Sequence, residues 1–129
     1  MVLDTEENSF DIEIKNTISP ISNSALSGLY ASSQILCTQC EPEGFRRITY
    51  FIDRPDILSI FRVTLRGKKD QYPILLSNGN QIFSKETGAY HECIWEDPYP
   101  KPCYLFALVA GDLENIEDSF ITSSGRPVT

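Results

Sequence analysis

Hydrophobic and polar residues alternate along several stretches of the chain, which predicts strands rather than helices. FDIEI, residues 10–14, places three apolar side chains on one face, and SIFRVTLR, residues 59–66, does the same. A period of two is typical of a half-buried β-strand. Since no stretch sustains helical periodicity over three turns, we predict an all-β fold.

Shorter strands are predicted in the middle of the chain, where turn signals interrupt apolar runs. They are PILL at 73–76, QIFSK at 81–85 and YHECIWE at 90–96, with turns predicted at 77–80 and 86–88. This order reads as a meander. Because strands recur at roughly ten-residue spacing, a sandwich or a barrel is expected, and an antiparallel β-sandwich of short strands is favoured for an open meander.

The last third of the chain contains a proline-rich segment followed by an apolar one. DPYPKP, residues 97–102, holds three prolines and predicts a stiff, extended loop outside any ladder. YLFALVAG, residues 104–111, predicts a strand buried on both faces. The final segment, 120–129, reads as a strand, a turn at 123–125 and another strand cut off at Thr129, so an incomplete piece of a longer protein is expected.

Length and charge limit the class of protein. A chain of 129 residues predicts a single domain over 1–129, with residues 1–17 the less certain part. A net charge of −7 repels phosphate backbones and anionic lipid, so neither nucleic acid nor a membrane is an expected partner. The acidic start and the lack of a long apolar run predict a cytoplasmic location.

The four cysteines raise the question of a metal or redox site. Cys37 and Cys40 form a Cys-x-x-Cys pair, while Cys93 and Cys103 stand alone with the single histidine, His91. A structural zinc needs two further ligands at suitable spacing, and a redox pair needs a helix N-terminus. We therefore predict free, buried thiols and no bound metal. A separate binding module stabilised by metal through its cysteines stays as the alternative.

Charged residues cluster after the Cys-x-x-Cys pair, at Arg46, Arg47, Asp53, Arg54 and Asp56. They form either a surface ion-pair group or a clamp at a domain interface, and the sequence leaves both open. No Ser-His-Asp or Cys-His arrangement and no glycine-rich phosphate loop is recognisable. No catalytic residue is therefore predicted in this chain.

Three long blocks resemble a known family. They are CTQCEPEGFRRITYFIDRPD, YPILLSNGN and WEDPYPKPCYLFALVAGDLE, and in this order they are similar to the N-terminal domain of the aminopeptidase N family of gluzincin zinc metallopeptidases. The resemblance runs from about Ile18 to Arg126. It implies a β-sandwich packed against the catalytic domain of the same polypeptide, in an enzyme that removes single residues from the free N-termini of peptides.

The same resemblance assigns roles to residues. Family members bind one zinc ion around His-Glu-x-x-His and recognise the substrate amine through Gly-Ala-Met-Glu-Asn, and neither motif occurs here. The zinc ligands are thus expected outside this chain, which alone would be inactive. In similar enzymes the Gln and Glu of Thr-Gln-Cys-Glu reach into the active site, which implies that Gln39 and Glu41 bind substrate. Cys40 would set them on one side of an extended segment.

Overall fold

The computed structural model describes residues 9–129, which form nine strands and three short 3₁₀ turns. The strands are β1 (Gly28–Ser32), β2 (Ile35–Gln39), β3 (Leu58–Lys68), β4 (Ile74–Ser77), β5 (Asn80–Thr87), β6 (Tyr90–Pro102), β7 (Leu108–Gly111), β8 (Phe120–Ile121) and β9 (Pro127–Val128). The turns are Pro20–Ser22, Phe45–Arg47 and Cys103–Leu105. The predicted boundaries of a single domain over 1–129 stay a prediction, because residues 1–8 lie outside the described part.

Two antiparallel sheets build the sandwich. One sheet has the strand order β1-β2-β7-β4 and the other has the order β3-β6-β5, while β8 and β9 form a separate hairpin. Every observed strand pair is antiparallel. The predicted all-β fold of short antiparallel strands is therefore confirmed.

The core consists of two clusters. The first lies between the sheets, where Leu75, Cys93 and Ala110 are buried and the half-buried Leu65 and Trp95 pack against them. The second lies beside the turn that follows β2 and holds Cys40, Phe45 and Cys103, against which Ile48, Phe61 and Phe106 pack. Ring centroids of Phe45 and Phe106 are 5.2 Å apart in an edge-to-face arrangement, a favourable geometry for aromatic pairs. The second cluster fixes the segment that carries the candidate site.

The alternation in β3 is confirmed and extends over eleven residues, with every second side chain exposed. The strand predicted at 10–14 is wrong, because this segment is not a strand and Phe10, Ile12 and Ile14 are all exposed. A period of two makes a strand only when a neighbour accepts its backbone hydrogen bonds. Within residues 9–129 no strand pairs with this segment.

The proline-rich segment 97–102 is a strand, so the predicted loop is also wrong. It extends β6 and pairs with β3, with Asp97 opposite Phe61 and Lys101 opposite Ser59, after a bulge in the register. On the other side of β6 the pairing with β5 ends at Glu96. Residues two positions apart in a strand direct their N–H groups to the same side, so this spacing is compatible with prolines whose missing N–H groups face the side of β6 that has no partner strand.

The predicted meander holds for β5 and β6 but not for β4. The turn before β5 carries the chain from one sheet to the other, so β4 pairs with β7 instead. The predicted strand at 104–111 is half correct, since a 3₁₀ turn occupies its start and β7 begins at Leu108. The hairpin of β1 and β2 was not predicted. Its two-residue turn at Ser33 and Gln34 lacks the usual glycine, and Ser33 adopts a positive φ of 57°.

Candidate functional site

Gln39 and Glu41 stand at the exit of β2, on either side of a buried cysteine. Gln39 is the last residue of the strand, and both polar side chains are exposed while Cys40 is 1% exposed. The side-chain amide of Gln39 donates to Glu41 Oε2 at 2.5 Å. The predicted placement of both side chains on one side of the segment is therefore confirmed. Together they offer an amide and a carboxylate to the same volume outside the sandwich.

The backbone after Cys40 turns tightly and needs a glycine at position 44. The Gly44 N–H donates to the Cys40 carbonyl at 3.1 Å. A Cβ on Gly44 would collide with the Gln39 carbonyl oxygen and would lie 2.9 Å from Cys40 Cα. Its φ of −92° is ordinary, so close approach rather than backbone conformation requires glycine here. The turn thus lies directly against the backbone that carries Gln39 and Glu41.

A buried carboxylate holds the far end of this turn. Asp53 Oδ2 accepts the backbone N–H of Arg46 at 3.0 Å and its Nε–H at 3.2 Å, and Nη2 of Arg46 donates to the Asp53 carbonyl at 2.8 Å. The Cys103 thiol donates to Asp53 Oδ1 at 3.0 Å. Burial alone would raise the pKa of Asp53, but the hydrogen bonds from Cys103 and Arg46 outweigh it and lower that pKa. Asp53 is therefore ionised at neutral pH.

The two thiols of the Cys-x-x-Cys pair lie in different environments. Cys40 lies in the aromatic cluster, and burial, followed by the nearby Glu41 and Asp53 charges, raises the pKa of its thiol to about 11. Cys37 lies opposite Tyr30 in the strand pair, and a hydrogen bond with its thiol raises the pKa of Tyr30. Alternation along β2 places Cys37 on the face opposite to Leu36, which packs against the core.

These thiols do not fit a zinc site. Zinc binds thiolates that converge in a tetrahedron, whereas alternation along β2 places Cys37 on the face opposite to that of the buried Cys40. Among residues 9–129, no group of three or more His, Cys, Asp or Glu side chains has the arrangement of a metal site. All four cysteines are free, and burial raises the pKa of Cys103 to about 12 and that of Cys93 above its ordinary value.

The single histidine and the remaining charged residues each have a hydrogen-bond partner within the domain or lie at its surface. His91 is half-buried, and its Nε2 donates to the Tyr72 carbonyl at 2.6 Å, so it is a satisfied residue of β6. Arg54 forms an exposed fork with Asp56, with contacts of 2.9 and 2.6 Å. The charged cluster thus contains an exposed pair, Arg54 with Asp56, and a half-buried clamp, Arg46 with Asp53, which holds the turn after β2. Arg47 is exposed.

The comparison with known families decides the class of this sandwich. The model of the peptidase M1 N-terminal domain matches residues 1–105. The chain belongs to the peptidase M1 N-terminal domain family. The predicted resemblance to the aminopeptidase N family is thereby confirmed.

Curated relatives and a solved structure agree with this M1 assignment. Aminopeptidase N of Escherichia coli (strain K12) is 55% identical over 120 residues, which is 92% of this chain and 14% of that protein. Aminopeptidase N of Haemophilus influenzae is 52% identical over 126 residues, or 97% of this chain and 14% of that protein. The crystal structure of Legionella pneumophila aminopeptidase A in complex with aspartic acid matches with a TM-score of 0.77 and 43% identity, over 80% of this chain and 12% of that one.

This M1 N-terminal domain therefore spans about a seventh of the length of its curated relatives. None of the helices in the described part has the length and hydropathy needed to cross a membrane. Sequence reasoning missed the link between the charged cluster and the candidate site. The seven-residue spacing of Arg46 and Asp53 was visible, but only the turn and the burial of Asp53 reveal what their pairing holds.

Proposed function

We propose that this chain is the substrate-recognition and scaffold domain of a zinc-dependent aminopeptidase that removes single N-terminal residues from peptides. Its partners would be peptides with free N-termini and the catalytic domain of the same polypeptide. The zinc ligands would lie in that catalytic domain, and the 129-residue chain alone would be inactive. A cytoplasmic location is part of the same proposal.

The presentation of Glu41 beside Gln39 is the observation that carries this proposal. An exopeptidase acts one residue from a free N-terminus, so it needs a fixed anion that pairs with the substrate ammonium. Glu41 is exposed, lies 2.5 Å from the Gln39 amide and follows a cysteine fixed in the core. The matched relatives are named aminopeptidases, which supplies the reaction class for this geometry.

Each residue then has a distinct role. The Glu41 carboxylate would accept hydrogen bonds from the α-ammonium of the substrate. The Gln39 amide, already a donor to Glu41, would orient that carboxylate and would offer its carbonyl oxygen to the first residue of the peptide. The chain's own thiols do not fit zinc, so no step of the reaction is assigned to metal bound within this domain.

Substitution of Glu41 tests the proposal in the full-length polypeptide. The pair of Glu41 with the substrate ammonium would be buried in the assembled active site. Removing one partner of such a buried charge pair costs on the order of 2 to 5 kcal/mol, so Glu41→Gln should lower kcat/KM by roughly thirtyfold or more. The measurement is steady-state hydrolysis of an aminoacyl 4-nitroanilide. Glu114→Gln, at another exposed carboxylate, is the matched control and should leave kcat/KM unchanged. Wild-type kcat/KM in the Glu41→Gln enzyme would contradict the proposed role.

A further inference from the structure

An ion pair between the buried Asp53 and the half-exposed Arg46 lies next to the candidate site without touching it. Asp53 is 6% exposed, yet it carries a charge that burial disfavours. Its two carboxylate oxygens take three hydrogen bonds, from the Cys103 thiol and from the backbone and side chain of Arg46. Such a pair is weak support for stability in itself, because solvent screens the exposed guanidinium while the buried carboxylate loses its hydration. The position in which Asp53 holds Arg46 is more informative than the contribution of the pair to stability.

The pair holds Arg46 in one position from three directions. The backbone N–H and the Nε–H of Arg46 both donate to the carboxylate, and Nη2 donates to the backbone carbonyl of Asp53 at 2.8 Å. The remaining amino group, Nη1, lies 3.1 Å from Glu43 Oε2. The Arg46 guanidinium therefore contacts Asp53 on one side and Glu43 on the other, and it joins the Asp53 segment to the turn after β2. A planar fork is suited to such multiple contacts, and a lysine is not.

The constraint reaches Glu41 through the turn itself. Phe45, next to Arg46, is buried in the same cluster as Cys40. Gly44 donates to the Cys40 carbonyl at 3.1 Å and packs against the backbone of Gln39 and Cys40 with no room for a side chain. Movement of Arg46 would thus shift the residue that separates Gln39 from Glu41.

We infer that Asp53 is a positioning residue, which acts through Arg46 and the turn after β2 to fix the Glu41 carboxylate where the substrate amine binds. This inference rests on the proposed function, since it needs Glu41 to contact substrate. A misplacement of about 1 Å at a positioning contact can cost up to a hundredfold in rate. Asp53→Asn retains the size of the side chain and removes the charge that the Arg46 fork requires.

A double-mutant cycle of Asp53 and Glu41 in the full-length polypeptide tests this inference. We expect Asp53→Asn to lower kcat/KM by about tenfold in the wild-type background and by less than about twofold when Glu41 is already Gln. A residue that only stabilises the fold would produce the same loss in both backgrounds. Asp56→Asn removes the same charge from the exposed Arg54 pair, and this matched control should change kcat/KM in neither background.

Arg46→Gln gives a second variant in case Asp53→Asn does not fold. It removes the guanidinium but keeps the backbone N–H on Asp53, so we expect the same dependence on Glu41 with a smaller loss. Equal losses in both backgrounds, or no loss, would overturn the inference and leave the role of Glu41 intact. If Glu41→Gln itself left kcat/KM unchanged, the proposed function and the inference would both be overturned.

Discussion

At the scale of single residues, the four thiols differ far more than their sequence suggests. Cys40 and Cys103 are both 1% exposed, and burial is the main reason why their pKa values rise to about 11 and about 12. Cys93 is buried between the sheets and receives the Trp95 indole N–H at 3.2 Å. Cys37 alone is half-buried. Thiolate character and access together decide reactivity, so these sites are not equivalent.

Alkylation of the 129-residue chain should follow this order. With iodoacetamide at pH 8, we expect Cys37 to be modified first and Cys40 and Cys103 to remain unmodified while the chain is folded, because a raised pKa leaves little thiolate at that pH. Peptide mass spectrometry over a time course provides the measurement. In denaturant all four cysteines should react. Early modification of Cys40 in the folded chain would contradict its burial in the aromatic cluster.

At the scale of elements, two turns with similar backbones have different surroundings. Gly79, before β5, and Gly88, between β5 and β6, both have positive φ, at 85° and 59°. A Cβ on Gly79 would collide with the Glu96 carbonyl oxygen and lie 2.6 Å from its carbon, whereas a Cβ on Gly88 would meet nothing within 4 Å. The first turn crosses between sheets and lies against β6, while the second closes an open hairpin.

Alanine at each glycine separates backbone strain from crowding. Gly88→Ala should cost about 1 kcal/mol of unfolding free energy, because an L-residue is strained at positive φ. Gly79→Ala carries the same strain and a collision with the β6 backbone, so its loss should exceed that of Gly88→Ala by about 2 kcal/mol or more. Denaturant unfolding of the two variants gives the comparison. Equal losses would show that β6 moves away at little cost.

At the scale of the whole molecule, the sandwich exposes the Gln39 and Glu41 side chains while its thiols take part in packing or hydrogen bonds. Cys40 packs with Phe45 and Cys103, and Cys103 donates to Asp53. The core cluster that contains Cys40 and Cys103 therefore fixes the backbone that carries Glu41.

The metal content of the 129-residue chain tests that arrangement. After purification without a metal-affinity column, elemental mass spectrometry should find far less than one zinc per chain, because Cys37 and Cys40 lie on different faces. The same preparation should not hydrolyse an aminoacyl 4-nitroanilide. About one zinc per chain, lost when Cys37 and Cys40 are both replaced by serine, would favour the separate metal-stabilised module.

Local patterns in the sequence determined the strand class and several elements. Alternation predicted β3, and the glycine at 88 predicted the hairpin of β5 and β6, because side-chain period and turn conformation are local properties. The Thr-Gln-Cys-Glu segment also indicated Gln39 and Glu41, through its resemblance to a family. Their exposure around a buried Cys40 follows the period of two.

Only the tertiary structure decided which strands pair and what holds the site. The segment 10–14 alternates as β3 does yet is not a strand. The proline-rich end of β6 pairs with β3 on one side and has no partner strand on the other. The clamp of Asp53 on Arg46 depends on burial and on a turn that brings residues 40, 53 and 103 together. Hydrogen-bond partners and burial depend on residues that are far apart in the chain. The sequence therefore shows which groups are able to pair, but the fold decides which of them do.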